Sequence, residues 1–179
     1  MAHETVGKQG EWAVERLDDS DHVRGPTAAR IVLEYGDYEC PYSRKAFRAI
    51  ELVERRASDG IRFAFRHFPL TEIHPHALAA AGAAEAAALQ GRFWEMHELL
   101  FHGQAALEDD DLRRYAAELQ LDVGRFDVDR LSSGVLARVR RDVESGLATG
   151  AVRGTPTLFI DGVVHLGSYD APALLEALA

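Results

Sequence analysis

The chain has 179 residues, of which 47% are hydrophobic and 8% aromatic, enough apolar side chains for the core of one ordinary domain. Acidic residues outnumber Lys and Arg by 29 to 20, which gives a formal net charge of −9. No cluster of basic residues forms a stripe that could neutralise a phosphate backbone, so the composition argues against nucleic acid as a partner.

The N-terminus has neither the basic start nor the apolar run of a signal peptide, and no segment reaches the apolar length needed to span a bilayer. We therefore expect a soluble, cytoplasmic protein without a membrane span. If a leader has been removed, the same sequence is compatible with a periplasmic or other extracytoplasmic protein.

The first part of the chain predicts an arm followed by a βαβ unit. Residues 1–30 are polar and turn-rich, and we interpret them as an arm packed on the domain, with a short strand near Trp12–Arg16. The β-branched, apolar run Arg30–Gly36 predicts a strand buried on both faces. Ser43–Ala57 has the spacing of an amphipathic helix. The alternating run Ile61–Phe68 predicts a second strand, parallel to the first through a right-handed crossover.

The middle of the chain, from residue 75 to about residue 150, predicts almost only helix. The expected segments are His76–Gln90, Arg92–His102, Asp110–Gln120, a short piece near Phe126, and Val135–Thr149. Four glycines are expected to end helices: Gly91, Gly103, Gly124 and Gly134. The first segment is Ala-rich and has few large apolar side chains, which close packing between helices explains. Phe93, Trp94 and Met96 are interpreted as core of this helical block.

The tail returns to strands. Thr157–Ile160 predicts a strand, Asp161–Gly162 a two-residue hairpin turn, and Val163–Leu166 the partner strand, before a last helix from Asp170. The order βαβ, helices, ββα predicts a single α/β domain with a mixed sheet. In this interpretation residues 31–74 and 151–179 form the sheet core, and residues 75–150 are a helical insertion between its halves.

Cys40 is the only cysteine and falls where the first strand turns into a helix. Unpaired N–H groups and the positive end of the helix dipole favour a thiolate at such a position. Pro41 suits the first helical position, because its φ is fixed and it has no N–H. Ser43 can offer its N–H and its hydroxyl to the sulfur. With one cysteine, any disulfide must join this chain to another molecule.

Four segments resemble the DsbA-like thiol-disulfide oxidoreductases of the thioredoxin superfamily. In family order they are Leu33–Tyr42, Phe65–Leu70 with His74–Pro75, Phe93–Trp94, and Gly154–Thr157. The resemblance extends over roughly residues 22–179. It implies a thioredoxin-like fold with an inserted helical domain that caps the active-site face.

The resemblance also implies roles for individual residues. Cys40 is similar to the family's nucleophile, in the motif Cys40-Pro41-Tyr42-Ser43. Thr155 and Pro156 are similar to the loop that pairs with a substrate chain, and we expect a cis peptide bond between them. Glu34, in the strand beneath Cys40, is similar in position to an acidic residue that assists proton movement, and a buried carboxylate there has a raised pKa unless it is paired.

Ser43 departs from the family, whose motif has a second cysteine at this position. Without it, neither a dithiol oxidase nor a dithiol reductase cycle can run, and release of a mixed disulfide needs an external thiol. We therefore predict a monothiol exchange enzyme that acts on thiol- or disulfide-containing proteins or small molecules. We expect no tightly bound cofactor, with glutathione or another low-molecular-weight thiol as co-substrate.

Other interpretations stay open. The chain can be a non-redox, chaperone-like module that binds an extended peptide, with Cys40 an inert buried side chain. Ser43 can replace the second cysteine of a natural dithiol enzyme. Isomerase chemistry on a glutathione adduct, as in kappa-class glutathione transferases, is a further possibility.

Some of these residues can have purely structural roles instead. Ser43 can equally cap the helix, and Glu34 can equally be a paired structural carboxylate. The histidines have no spacing with Cys or carboxylates that predicts a metal site.

Overall fold

The computed structural model describes residues 14–57 and 60–179. Within them the elements, in chain order, are β1 (His22–Arg24), β2 (Ile31–Gly36), α1 (Pro41–Arg56), β3 (Arg62–His67), α2 (Ala77–Ala88), α3 (Phe93–His102), α4 (Asp109–Glu118), α5 (Val123–Asp129), α6 (Ser133–Ala148), β4 (Thr157–Ile160), β5 (Val163–Val164) and α7 (Ala171–Leu178). This order confirms the predicted α/β class, with helices α2–α6 between the two halves of the sheet.

The five strands form one mixed sheet in the order β1-β3-β2-β4-β5. Strands β2 and β3 are parallel, as the βαβ pattern predicts, and β4 pairs antiparallel with β2. Strand β5 pairs with β4 across the turn at Asp161 and Gly162, which both have positive φ, as a two-residue hairpin turn of this kind requires.

The N-terminal segment contributes an edge strand that the sequence did not reveal. Strand β1 pairs antiparallel with β3, with His22 opposite Phe65. The predicted strand near residues 12–16 is wrong for residues 14–16, which are in no strand, and residues 12 and 13 lie outside the described residues. A strand of three residues is too short for a period-two pattern to stand out.

Side chains of β2 alternate between two cores, one on each face of the sheet. Val32 belongs to the larger core, together with Phe47 and Ile50 of α1. Leu33 and Tyr35 belong to the smaller core on the other face. The period of two along a strand therefore places the side chain at position 34 on the face that α1 covers.

Helix α2 lies at the centre of the helical block, with nine of its twelve residues buried. A Cβ added at Gly82 would lie 2.7 Å from the carbonyl oxygen of Arg130, so the helix packs too closely for a larger side chain there. This close packing explains the alanine-rich sequence. Met96 is fully buried and Phe93 nearly so, which confirms their assignment to the core.

Several predicted boundaries differ from the structure. Gly124 and Gly134 lie in the first turns of α5 and α6, not at helix ends, because Asp122 and Ser132 cap these helices just before them. Strand β5 ends at Val164, two residues earlier than predicted. None of the helices in the described part combines the length and the apolar character that crossing a bilayer requires.

Candidate active site

Cys40 is the N-cap residue of α1, and Pro41 occupies the first turn of that helix. The β2 strand ends at Gly36, so only a short turn separates the centre of the sheet from the helix start. The Cys40 residue is 3% exposed. The structure therefore places the only cysteine at a helix N-terminus, under a cover that leaves little of it open to solvent.

The loop before β4 supplies that cover. The thiol of Cys40 donates a hydrogen bond to the backbone carbonyl oxygen of Thr155, at 3.3 Å. The peptide bond between Thr155 and Pro156 is cis. The hydroxyl of Thr155 is buried and has no hydrogen-bond partner in the part of the chain that the structure describes. Residues 115 positions apart in sequence thus meet at the sulfur.

Ser43 is fully buried in the first turn of α1, but its hydroxyl is directed at the backbone. Its Oγ accepts a hydrogen bond from the N–H of Asp37, at 3.2 Å. In residues 14–57 and 60–179, the sulfur of Cys40 makes its one hydrogen bond to Thr155. The expected donation from Ser43 to the sulfur is therefore not made, and the hydroxyl satisfies a backbone group instead.

Tyr42 lies at the surface, with 62% of its area exposed. An exposed aromatic ring two residues from Cys40 is available to contact a bound molecule. The motif thus combines one buried nucleophile candidate with one exposed apolar side chain.

Glu34 is completely buried, and within residues 14–57 and 60–179 neither of its carboxylate oxygens has a hydrogen-bond partner. It lies in the central strand β2, opposite Phe65 of β3 and Leu158 of β4. Burial raises the pKa of this carboxyl from its ordinary 4.5 to about 8. No partner among residues 14–57 and 60–179 supports the alternative of a paired structural carboxylate, and a pKa of about 8 lets the group hold or release a proton near neutral pH.

Asp37 organises the turn before Cys40, a role that the sequence did not indicate. Its Oδ1 accepts from the N–H of Glu39 at 2.8 Å, and its Oδ2 accepts from the N–H of Leu70 at 2.9 Å. The same Oδ2 lies 2.7 Å from Nδ1 of His74. The family-like segments around residues 37 and 70 are therefore held together by one buried carboxylate.

Two side chains link this turn to the inserted helices. Gln104, between α3 and α4, donates through Nε2 to the carbonyl oxygens of Tyr38, at 2.7 Å, and Cys40, at 2.9 Å. His76, the N-cap of α2, contacts Glu39 through Nδ1 at 2.8 Å and Glu108 through Nε2 at 3.2 Å. The partners in these contacts are more than thirty residues apart in sequence, so no local motif predicts them.

A second polar cluster lies where β1, β3 and α2 meet. His22, His67 and Glu85 present three potential metal-ligand atoms within 4.8 Å of one another, a convergence that the sequence spacing did not reveal. However, Nε2 of both histidines hydrogen-bonds the same Glu85 oxygen, at 2.7 and 2.8 Å. A metal-bound histidine ordinarily donates its other ring N–H to an acceptor, whereas Nδ1 of His67 is buried and has no partner among the described residues. This geometry fits a hydrogen-bonded triad better than a metal site.

A mixed sheet with a parallel βαβ unit, in which a cysteine at the start of the helix lies beside a proline loop from the second half of the sheet, defines the thioredoxin class of folds. The comparison with protein families agrees with this geometry. Residues 18–179 match the family model described as Thioredoxin, and the chain belongs to this family.

Solved structures confirm the predicted DsbA-like form of the fold. A thioredoxin-like oxidoreductase from Silicibacter pomeroyi superposes with a TM-score of 0.77 at 26% identity, covering 89% of this chain and 91% of that one. The thiol-disulfide exchange protein α-DsbA2 from Wolbachia pipientis superposes with a TM-score of 0.74 at 18% identity, covering 90% and 89%.

The similar curated proteins are much longer than this chain. Over 163 aligned residues it is 48% identical to the Na(+)/H(+) antiporter NhaA 1 of Mycolicibacterium vanbaalenii. The aligned region covers 89% of this chain and 26% of that protein. The chain thus spans about a quarter of the length of the curated relatives it matches. The antiporter name belongs to those longer proteins.

Proposed function

We propose that this protein is a thiol-disulfide exchange oxidoreductase that acts through Cys40 alone. The observation that carries the proposal is the position of Cys40 as N-cap of α1, directly beside the carbonyl of Thr155. Amide groups at a helix N-terminus stabilise a thiolate, which is the nucleophile in exchange. The names of two structural neighbours, an oxidoreductase and a thiol-disulfide exchange protein, support the same chemistry.

The reaction has two balanced steps. The Cys40 thiolate attacks one sulfur of a disulfide, a new S–S bond forms, and the second sulfur leaves as a thiolate. An external thiolate such as glutathione then attacks the mixed disulfide and releases Cys40 as a thiolate. Ser43 cannot serve in this second step, because it carries a hydroxyl where a resolving thiol would be needed. Low-molecular-weight thiols keep cysteines reduced in the cytoplasm, which we propose as the compartment.

The other site residues have supporting roles in this proposal. The backbone of Thr155 and Pro156 pairs with an extended substrate chain, and Tyr42 contacts it at the surface. Glu34 accepts a proton when Cys40 ionises, which its pKa of about 8 allows near neutral pH. Pro41 keeps the helix start at Cys40.

Intact-mass analysis tests the proposal. After incubation with oxidised glutathione, the protein should gain one glutathione per chain, and reduced glutathione should remove it rapidly at neutral pH. The Cys40→Ala variant is the matched blank, because it has no other cysteine. Rates no faster than those of a cysteine in an unstructured peptide would refute thiol exchange as the function.

The burial of Cys40 favours one second candidate, a non-redox module that binds extended peptides. In this case Cys40 is an inert small side chain and the proline loop binds by backbone pairing. Peptide affinity would then be unchanged in Cys40→Ala, and the pH midpoint of Cys40 alkylation would equal that of a free thiol. The same two measurements therefore separate the two candidates.

A further inference from the structure

The four residues Asp37–Cys40 form a β-turn that delivers the chain to α1. The N–H of Cys40 donates to the carbonyl oxygen of Asp37, at 3.1 Å. The peptide that joins Tyr38 to Glu39 is the central peptide of this turn, and its orientation distinguishes the common turn types. Because Cys40 ends the turn and caps the helix, this peptide sets the direction in which Cys40 enters α1.

Two side chains hold this central peptide from opposite sides. Gln104 donates to its carbonyl oxygen, that of Tyr38, at 2.7 Å. The carboxylate of Asp37 accepts from its N–H, that of Glu39, at 2.8 Å. The same Nε2 of Gln104 also donates to the carbonyl oxygen of Cys40, at 2.9 Å. Since both acceptors are carbonyl oxygens, the amide nitrogen and not its oxygen must face them.

Gln104 is the residue on which the Tyr38 carbonyl depends. In the described part of the chain, this carbonyl has no other hydrogen-bond donor, whereas the Cys40 carbonyl also accepts from the N–H of Arg44 at 3.1 Å. Without the Gln104 amide, the central peptide would keep only the hydrogen bond from its N–H to Asp37 and could rotate more freely. The helical insertion would then lose its hydrogen bonds to the two peptides around the nucleophile.

We propose that Gln104 is a positioning residue for Cys40, through which the helical insertion holds the active-site turn. This rests on the proposed thiol exchange, which it extends by giving the insertion a part in the reaction. In the described residues Gln104 makes no hydrogen bond to the sulfur, and it acts through the peptide groups of Tyr38 and Cys40.

The test compares Gln104→Met, which keeps the length of the side chain and removes its donors, with Gln90→Met. Gln90 is a matched control, because its amide also makes two hydrogen bonds to backbone, to the N–H and carbonyl of Asp122 at 2.9 and 3.2 Å. We expect Gln104→Met to slow exchange with oxidised glutathione about three- to tenfold, the effect of losing hydrogen bonds of ordinary net strength. The pH midpoint of Cys40 alkylation should move upward, and Gln90→Met should change neither quantity.

Gln104→Glu gives an independent second variant. Its carboxylate places oxygens against two carbonyl oxygens, so exchange should slow at least as much as in Gln104→Met. If both Gln104 variants lose thermal stability like Gln90→Met but keep the wild-type midpoint and exchange rate, Gln104 is only structural and the proposal is overturned.

Backbone amide exchange separates this proposal from the proposed function. Released from Gln104, the turn should open more often, and the N–H of Cys40 should exchange with solvent faster in Gln104→Met than in the wild type. A wild-type thiol with ordinary reactivity refutes thiol exchange, and with it the catalytic part of this inference. If the wild-type thiol is reactive but the Cys40 N–H exchanges with solvent at the same rate in Gln104→Met as in the wild type, only the role of Gln104 is refuted.

Discussion

The thiol of Cys40 donates to the carbonyl oxygen of Thr155, at 3.3 Å, and this bond exists only while the sulfur carries a proton. On ionisation the donor is lost, and the sulfur faces an oxygen that repels it. A thiolate at this N-cap position would be compensated by the positive end of the α1 dipole, to which the N–H groups from Tyr42 onward contribute, since Pro41 has none. Ionisation of Cys40 therefore replaces a hydrogen bond to the proline loop by the field of α1, and leaves the Thr155 carbonyl without this donor.

Replacing Ser43 by Cys tests whether the site retains the geometry of a dithiol motif. Residues at the N-cap and three positions later lie within the Cα separation that a disulfide needs. We expect Ser43→Cys to form an internal disulfide with Cys40 in oxidised glutathione, measured by loss of free thiols without retained glutathione. A stable glutathione adduct instead would show that the second position cannot resolve it.

Ser43→Ala separates the hydrogen bond that Ser43 accepts from the turn before α1 from any effect on the sulfur. The variant removes the acceptor for the N–H of Asp37, which is buried, and we expect a loss of about 1 kcal/mol in the free energy of unfolding. Because Ser43 makes no hydrogen bond to Cys40 in the described structure, the pH midpoint of Cys40 alkylation should not move. Denaturant unfolding and alkylation rates measure the two effects, and a shifted midpoint would restore a redox-tuning role for Ser43.

Glu34 should make the protein less stable as the pH rises. The folded pKa of about 8 lies above the ordinary 4.5, so this group stabilises the fold below pH 4.5, and that contribution is lost as the pH rises to about 8. The limiting slope is about 1.4 kcal/mol per pH unit. The Gln side chain in Glu34→Gln does not titrate. The free energy of unfolding of the wild type, measured with denaturant, should therefore fall relative to that of the variant between pH 4.5 and about 8. Parallel curves would mean that Glu34 is ionised or paired in solution.

The backbone topology could be predicted because it follows from local pattern. Strand β2 reads as an apolar, β-branched run, and α1 has apolar side chains at helical spacing. Strand β1 was missed because its three residues, His22–Arg24, are half-buried and polar at both ends. Its place in the sheet comes from pairing with β3, and such tertiary pairing leaves no local trace.

The site could be predicted only as far as its residues lie in contiguous motifs. Cys40, Pro41 and Ser43 share one turn of sequence, and the sequence placed them correctly. Gln104 lies in the loop between α3 and α4 and contacts backbone atoms, for which residue type carries no signal. The expected partner of the Ser43 hydroxyl was wrong for a related reason, since the hydroxyl accepts from the backbone N–H of Asp37, a tertiary contact that residue type does not reveal.

Glu85 should contribute strongly to stability, because it is buried and binds both His22 and His67. Burial alone would raise the pKa of Glu85, but hydrogen bonds from His22 and His67 outweigh this and lower it. We expect Glu85→Gln to cost about 1–3 kcal/mol near neutral pH. The contribution is present above pH 4.5, the ordinary pKa, and is lost as the pH falls toward the lower folded value.

The control for Glu85 is Glu98→Gln, which removes an exposed carboxylate paired with Arg24 at 3.2 Å. Exposed pairs contribute little, so this variant should unfold within about 1 kcal/mol of the wild type. Equal losses in the two variants, measured by urea unfolding at pH 7, would contradict a stabilising triad.

His76 should stabilise the fold in its protonated form. The hydrogen bond to Glu39 raises the pKa of His76 above its ordinary 6.5, and Glu108 adds to this attraction. The contribution is therefore complete below pH 6.5 and disappears as the pH rises through the folded pKa. We expect His76→Gln to lower the melting temperature at pH 6 and to approach the wild type at higher pH.

His102→Gln is the control, because His102 is exposed and has no carboxylate partner within residues 14–57 and 60–179. Its melting curves should follow those of the wild type throughout. A constant deficit of His76→Gln from pH 5 to pH 9 would mean that the residue acts through packing and not through its charge.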